Sequence, residues 1–192
     1  TSKFYPELRL QAQDSMSINI PYHQIPDTYQ DYSSGNVIAR MIDGLGYRYY
    51  WASENLSVEA LAYQPSDDAA DMMETMKHLF GLSETILNTA KGQDNVRPYD
   101  IPEMSYEVVR SKTLHNLMEA SKLFRGKSMV ELEEMKIVFA RGDKKSVFPV
   151  WQLINGPIAD AIYHTGQVVS FRRTAGNPIN AGVNVFTGKT RE

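Results

Sequence analysis

The sequence predicts an all-α protein, a four-helix bundle built as a single domain over residues 1–192, with the bundle core at about 34–173. Three observations predict it. Four segments of about 20 residues carry apolar side chains at helical spacing, polar connectors of about eight residues or more separate them, and no internal repeat or change of composition marks a second domain. A chain of 192 residues also suffices for one core, burying roughly 70% of its unfolded surface.

Residues 1–33 read as an extended N-terminal arm, because Pro6, Pro21 and Pro26 are spaced too closely for a long helix. His23 lies in this arm and is expected to be a solvated or packing residue. The first helix is predicted over about 34–53, with Ser33 or Ser34 as cap and Val37, Ile38, Met41, Ile42 and Leu45 as its apolar stripe. Its end gathers Tyr47, Tyr49, Tyr50 and Trp51 around Arg48. That cluster is either an aromatic seam against a neighbouring helix or the wall of a ligand pocket with Arg48 as its polar group.

The second helix is expected to start at Pro65-Ser66-Asp67-Asp68, with Ser66 as cap, and to run to about residue 90 before Lys91-Gly92. His78 sits within its apolar stretch, and Glu74 lies one turn earlier, where it would orient His78 or face solvent. The third helix is predicted from Ser105 to Arg125-Gly126, with His115 on its flank. Residues 135–140 read as a short extended segment and Arg141-Gly142-Asp143 as turn chemistry. The fourth helix is expected to begin near Phe148-Pro149-Val150-Trp151, to kink at Gly156-Pro157, and to close at Phe171-Arg172-Arg173. The remaining residues, 174–192, read as an irregular C-terminal tail.

The totals exclude several classes. The chain has no cysteine, so disulfides, thiolate zinc sites and a cysteine nucleophile are ruled out. A net charge of −3, with Lys and Arg spread along the chain, argues against nucleic acid as a partner. No apolar run approaches the ~18 residues of a membrane span. The chain begins at Thr1, so both a cytoplasmic protein and one exported after loss of a leader stay open.

The chemistry concentrates in Asn155-Gly-Pro-Ile-Ala-Asp160-Ala-Ile-Tyr-His164-Thr-Gly-Gln167. On a helix, Asp160 and His164 share a face about one turn apart, which makes half of a metal clamp. An open catalytic site usually takes a third protein ligand, so one must come from elsewhere. Gln167 lies one turn after His164, near the same rim, where it would bond a ligand or the backbone. Tyr163 would either donate to a substrate or pack on the first helix.

This stretch resembles the last-helix signature of the DinB-like family of metal-binding four-helix bundles, whose ligand, three-residue spacer and His lead into a Gly-Gln pair. His164 and Gly166-Gln167 fall where that pattern puts them; Asp160 stands where the family more often has His, Tyr163 replaces an adjacent His and Thr165 replaces Arg. The resemblance implies a first ligand from a His on the second helix, and His78 is the only one there. It further implies one divalent transition metal held by His78, Asp160 and His164; two imidazoles and a carboxylate suit Zn, Ni, Fe(II) or Mn alike.

Implied with it are a small-molecule substrate, a thiol S-transferase or hydrolase activity, and a homodimer. A metal- or ligand-binding protein without turnover is the alternative, and a metal-free dimer with a hydrogen-bonded polar core is a third class. Ferritin-like di-iron chemistry is disfavoured, because the chain lacks paired Glu-x-x-His motifs.

Overall fold

Apolar residues recurring every three to four positions give four long helices, seen in a computed structural model that describes residues 20–27 and 29–191. In chain order the helices are α1 (Ser34–Ser53), the short α2 (Val58–Leu61), α3 (Met72–Lys91), α4 (Tyr106–Phe124), α5 (Met129–Glu134), and α6 (Trp151–Leu153), which continues through a π turn (Ile154–Ile158) into α7 (Ala159–Thr174). α1 and α3 each pack against both α4 and α7. Between them lie Ile42, Leu45, Tyr49, Met76, Leu79, Ile86, Leu114, Leu117 and Phe124, all buried. Each aliphatic side chain removed from water in this way contributes about 1.5–3 kcal/mol. Two small sheets complete a mainly helical chain: β1 (Asn95–Val96), β2 (Lys136–Arg141) and β3 (Lys144–Pro149) form one, β4 (Val183–Asn184) and β5 (Lys189–Thr190) the other. Among the described residues no helix is long and apolar enough to cross a membrane.

Several boundaries differ from the sequence expectation, each for a local reason. α3 starts at Met72 rather than near Ser66, because Asp71 and Glu74 form a capping box: the Glu74 amide donates to Asp71 Oδ1 at 2.8 Å, and the Asp71 amide donates to Glu74 Oε2 at 3.0 Å. Ser66 donates instead to Asp68. The connector before the fourth helix holds α5, which Ser128 and Glu131 start with a second capping box. It also holds the β2–β3 hairpin, antiparallel with Lys136 opposite Pro149. Phe148 and Pro149 therefore end a strand, and the helix begins at Trp151. Pro149 is tolerated there because β3 is an edge strand.

The C-terminal residues are not an irregular tail. β4 and β5 pair as an antiparallel hairpin that docks on α1, where the Asn184 amide donates to Tyr47 Oη at 3.2 Å and Tyr47 shares a 2.8 Å hydrogen bond with Thr190. Residues 1–19 of the expected arm lie outside the described residues. Residues 20–27 and 29–33 have no regular secondary structure but are tied down: Tyr22 and Ile25 are buried, the Ile25 amide donates to the Gly188 carbonyl at 2.9 Å, and the Tyr22 ring lies over Gly46 so closely that a Cβ there would meet it at 2.5 Å. The aromatic end of α1 is a packing seam, but Tyr47 and Trp51 pack with Ile25 of the N-terminal segment and Val183 of the C-terminal hairpin rather than with a neighbouring helix, while Tyr49 enters the main core.

The last turn of α1 has no basic residue of its own. Its carbonyls are met from two other helices. Arg172 of α7 donates to the carbonyls of Trp51, Ala52 and Glu54 at 2.9–3.0 Å. Arg110 of α4 donates to the Tyr50 carbonyl, and Tyr106 to that of Ser53. Orphan carbonyls and the negative pole of α1 are thus satisfied by guanidinium groups distant in sequence. Burial pulls Arg172 below its ordinary pKa, opposed by the nearby Tyr106 and Glu54.

Candidate metal centre

Two helices build the centre. α3 supplies His78 from its second turn, and α7 supplies Asp160 and His164 from its first two turns. The approach of α7 is set by the π turn, in which Gly156 leaves helical geometry (φ −93°, ψ −106°) and Pro157 has no amide to give. The Ala159 amide then reaches the Ile154 carbonyl, five residues back. The kink expected at Gly156-Pro157 is present, and Asp160 after it meets His78 of α3.

The three side chains converge. His78 Nε2 lies 3.3 Å from Asp160 Oδ2, and His164 Nε2 lies 3.3 Å from Asp160 Oδ1. One ligand atom from each residue lies within 4.8 Å of the others. The imidazoles meet edge to face, with centroids 4.5 Å apart and planes at 86°. Two ligand atoms each ~2.1 Å from one ion stand roughly 3.0 Å apart in octahedral and roughly 3.4 Å apart in tetrahedral coordination. Both Asp–His separations fall in that range, each to a different carboxylate oxygen, and two imidazoles with a carboxylate are a donor set that could hold a transition-metal ion.

The centre is accessible. The His78 side chain is 50% exposed, Asp160 43% and His164 23%. Gln167 Oε1 accepts a 2.6 Å hydrogen bond from His164 Nδ1, so its side chain engages His164 and not the backbone. Tyr163 is exposed and does not pack on α1; its ring stands edge-on to His164 at 5.4 Å. Thr165, where the resemblance has Arg, is buried and donates to the Ala161 carbonyl at 2.7 Å, one turn back along α7.

Two expected neighbours are engaged elsewhere. Glu74 is held by the cap of α3, its carboxylate on the Asp71 amide. Arg48 donates to the Gly44 carbonyl of its own helix at 3.2 Å. His23 is exposed, its ring against Tyr50 and Trp51, and His115 donates from Nδ1 to the Ser111 carbonyl.

Sequence reasoning missed a second titratable cluster. Asp43, fully buried on α1, accepts hydrogen bonds from Tyr22 at 2.7 Å and from Tyr29, and pairs with Arg125 at 3.4 Å. Burial first, then the Asp43 charge and hydrogen bond, push the Tyr22 phenol far up; burial and the Asp43 hydrogen bond raise Tyr29 to about 12. The one signal was an acid directly beside Ile42 in an apolar helix. Its partners lie outside that helix, so nothing local announced them.

Comparisons with protein-family models, with curated proteins and with solved structures give no match to this chain.

Proposed function

We propose that this chain is a DinB-like four-helix bundle that binds one divalent transition-metal ion, Zn, Ni, Fe or Mn, through His78 Nε2, the Asp160 carboxylate and His164 Nε2. It acts as a metal-dependent thiol S-transferase or hydrolase on a small molecule, in a homodimer. The observation that carries this reading is the convergence of three donors from two helices, with both Asp–His separations at 3.3 Å. When bound, an ion such as zinc supplies Lewis acidity that lowers the pKa of a bound water toward ~7 or activates a thiol.

The chain's own residues supply the rest. Asp160 brings negative charge between the imidazoles, three protein ligands leave positions for water or substrate, and the exposed Tyr163, whose ring stands edge-on to His164, carries a hydroxyl that can donate to a bound molecule. The half-exposed His78 and Asp160 favour a second reading, a metal-binding protein without turnover, because catalytic sites usually exclude water.

The test is elemental analysis of protein purified without a His tag, beside His78→Ala, Asp160→Ala and His164→Ala. Near-stoichiometric metal that each substitution removes supports the centre, and turnover of thiols or esters then separates the two readings. Wild-type protein that stays metal-free after metal is supplied ends both.

A further inference from the structure

The His164–Gln167 hydrogen bond is short, at 2.6 Å, and it decides more than ring orientation. Gln167 Oε1 offers only lone pairs, so the proton between them belongs to His164 Nδ1. A neutral imidazole has one N–H, which leaves Nε2 as a bare lone pair. That lone pair lies 3.3 Å from Asp160 Oδ1, and two acceptors at that distance repel unless a cation sits between them. His78 lacks such support: half of its side chain is exposed, and among the described residues no group bonds its Nδ1.

We propose that Gln167 is a positioning residue that selects the Nδ1–H tautomer of His164, so that α7 alone presents a preformed receptor, His164 Nε2 with Asp160, for a divalent transition-metal ion, which His78 closes from α3. The inference rests on the metal-binding reading above. Held on one helix one turn apart, the Asp160–His164 pair keeps its spacing whatever the α3–α7 packing does. His78 depends on that packing.

The tautomer can be measured without metal. Long-range ¹H–¹⁵N NMR of chelator-treated protein at about pH 8, above the ordinary imidazole range, is expected to show His164 Nε2 unprotonated. His115, whose Nδ1 donates to the Ser111 carbonyl at 2.8 Å, is the internal reference. Gln167→Leu is expected to move the His164 proton toward Nε2, and Gln167→Glu, which keeps an acceptor, to hold it on Nδ1.

Titration with Zn²⁺ is then expected to show Gln167→Leu binding 10–100-fold more weakly than wild type, the usual cost of losing a group that orients a ligand, and Gln167→Glu restoring affinity. A wild-type His164 protonated on Nε2, as the other tautomer or as imidazolium, overturns the proposal. So does Zn²⁺ binding unchanged by Gln167→Leu. Wild-type protein that binds no Zn²⁺ overturns the metal-binding reading itself, and the NMR result tells the two failures apart.

Discussion

The Arg172 guanidinium donates to the Glu54 carbonyl at 2.9 Å, joining the last turn of α7 to the end of α1 across 118 residues. The same Nη1 reaches Trp51 and Ala52, and the other nitrogens bond Asn177. Arg172→Ala leaves two buried carbonyls, those of Trp51 and Ala52, and the partly buried one of Glu54 without this donor. Taking ~1–3 kcal/mol for each orphaned buried group, the expected loss is about 2 kcal/mol or more, read as a lower urea midpoint. Arg172→Lys is expected to recover only part, since an ammonium cannot reproduce the planar fork.

A metal held by His78, Asp160 and His164 links α3 to α7, so it should stabilise the fold by mass action. At free Zn²⁺ near 100 times Kd the gain is about 2.7 kcal/mol. Thermal unfolding with Zn²⁺ and with chelator should therefore give a higher Tm with metal for wild type. Equal Tm values in Asp160→Ala are the matching expectation, and a metal-dependent Tm in that variant would locate the ion elsewhere.

Stability should fall at alkaline pH. The Tyr29 phenol is raised from 10.0 to about 12 by burial and the Asp43 hydrogen bond. Between those values the unfolded chain has released its proton and the folded chain has not, so unfolding releases a proton and is favoured as pH rises. This stabilising contribution is complete below pH 10.0 and is lost up to about pH 12. Tyr29→Phe removes one such group, and its stability measured from pH 9 to 11 should decline less steeply than that of wild type.

Gly46 faces the Tyr22 ring with no room for a methyl group, the nearest ring carbon lying 2.5 Å from where Cβ would stand. Gly46→Ala should lift the 20–27 segment from α1 or strain the helix, at about 1–3 kcal/mol. Faster proteolysis within that segment would show which happens. Unchanged stability and unchanged protease resistance would mean that Tyr22 is free to move.

Local geometry was legible in the sequence, and long-range geometry was not. Asp160 and His164 could be paired because four residues on a helix fix a separation, and the kink followed from the missing amide of Pro157. His78 entered as a ligand only through the resemblance, since nothing in residues 72–91 says which helix they will face. The capping boxes at Asp71 and Ser128 were written locally yet lost to stronger-looking signals, Ser66 for one and an unbroken connector for the other. The hairpin at 183–190 has the composition of a tail; Tyr47, more than 130 residues earlier, orders it. The same distance hid Arg172, whose basic charge near a helix end suggested service to its own helix while its bonds go to α1.

Asp160, His164, Val168 and Arg172 form a single ridge along α7, each four residues beyond the last. Such a ridge winds about 40° per step, roughly 120° from first to last. That winding lets one row turn from His78 on α3 to the end of α1. The π turn sets the starting angle of the whole row, so removing a single residue from it would swing every member by about 100°. The candidate metal centre and the Arg172 tie between α1 and α7 therefore share one rotational phase, and neither can be re-aimed through that turn without the other.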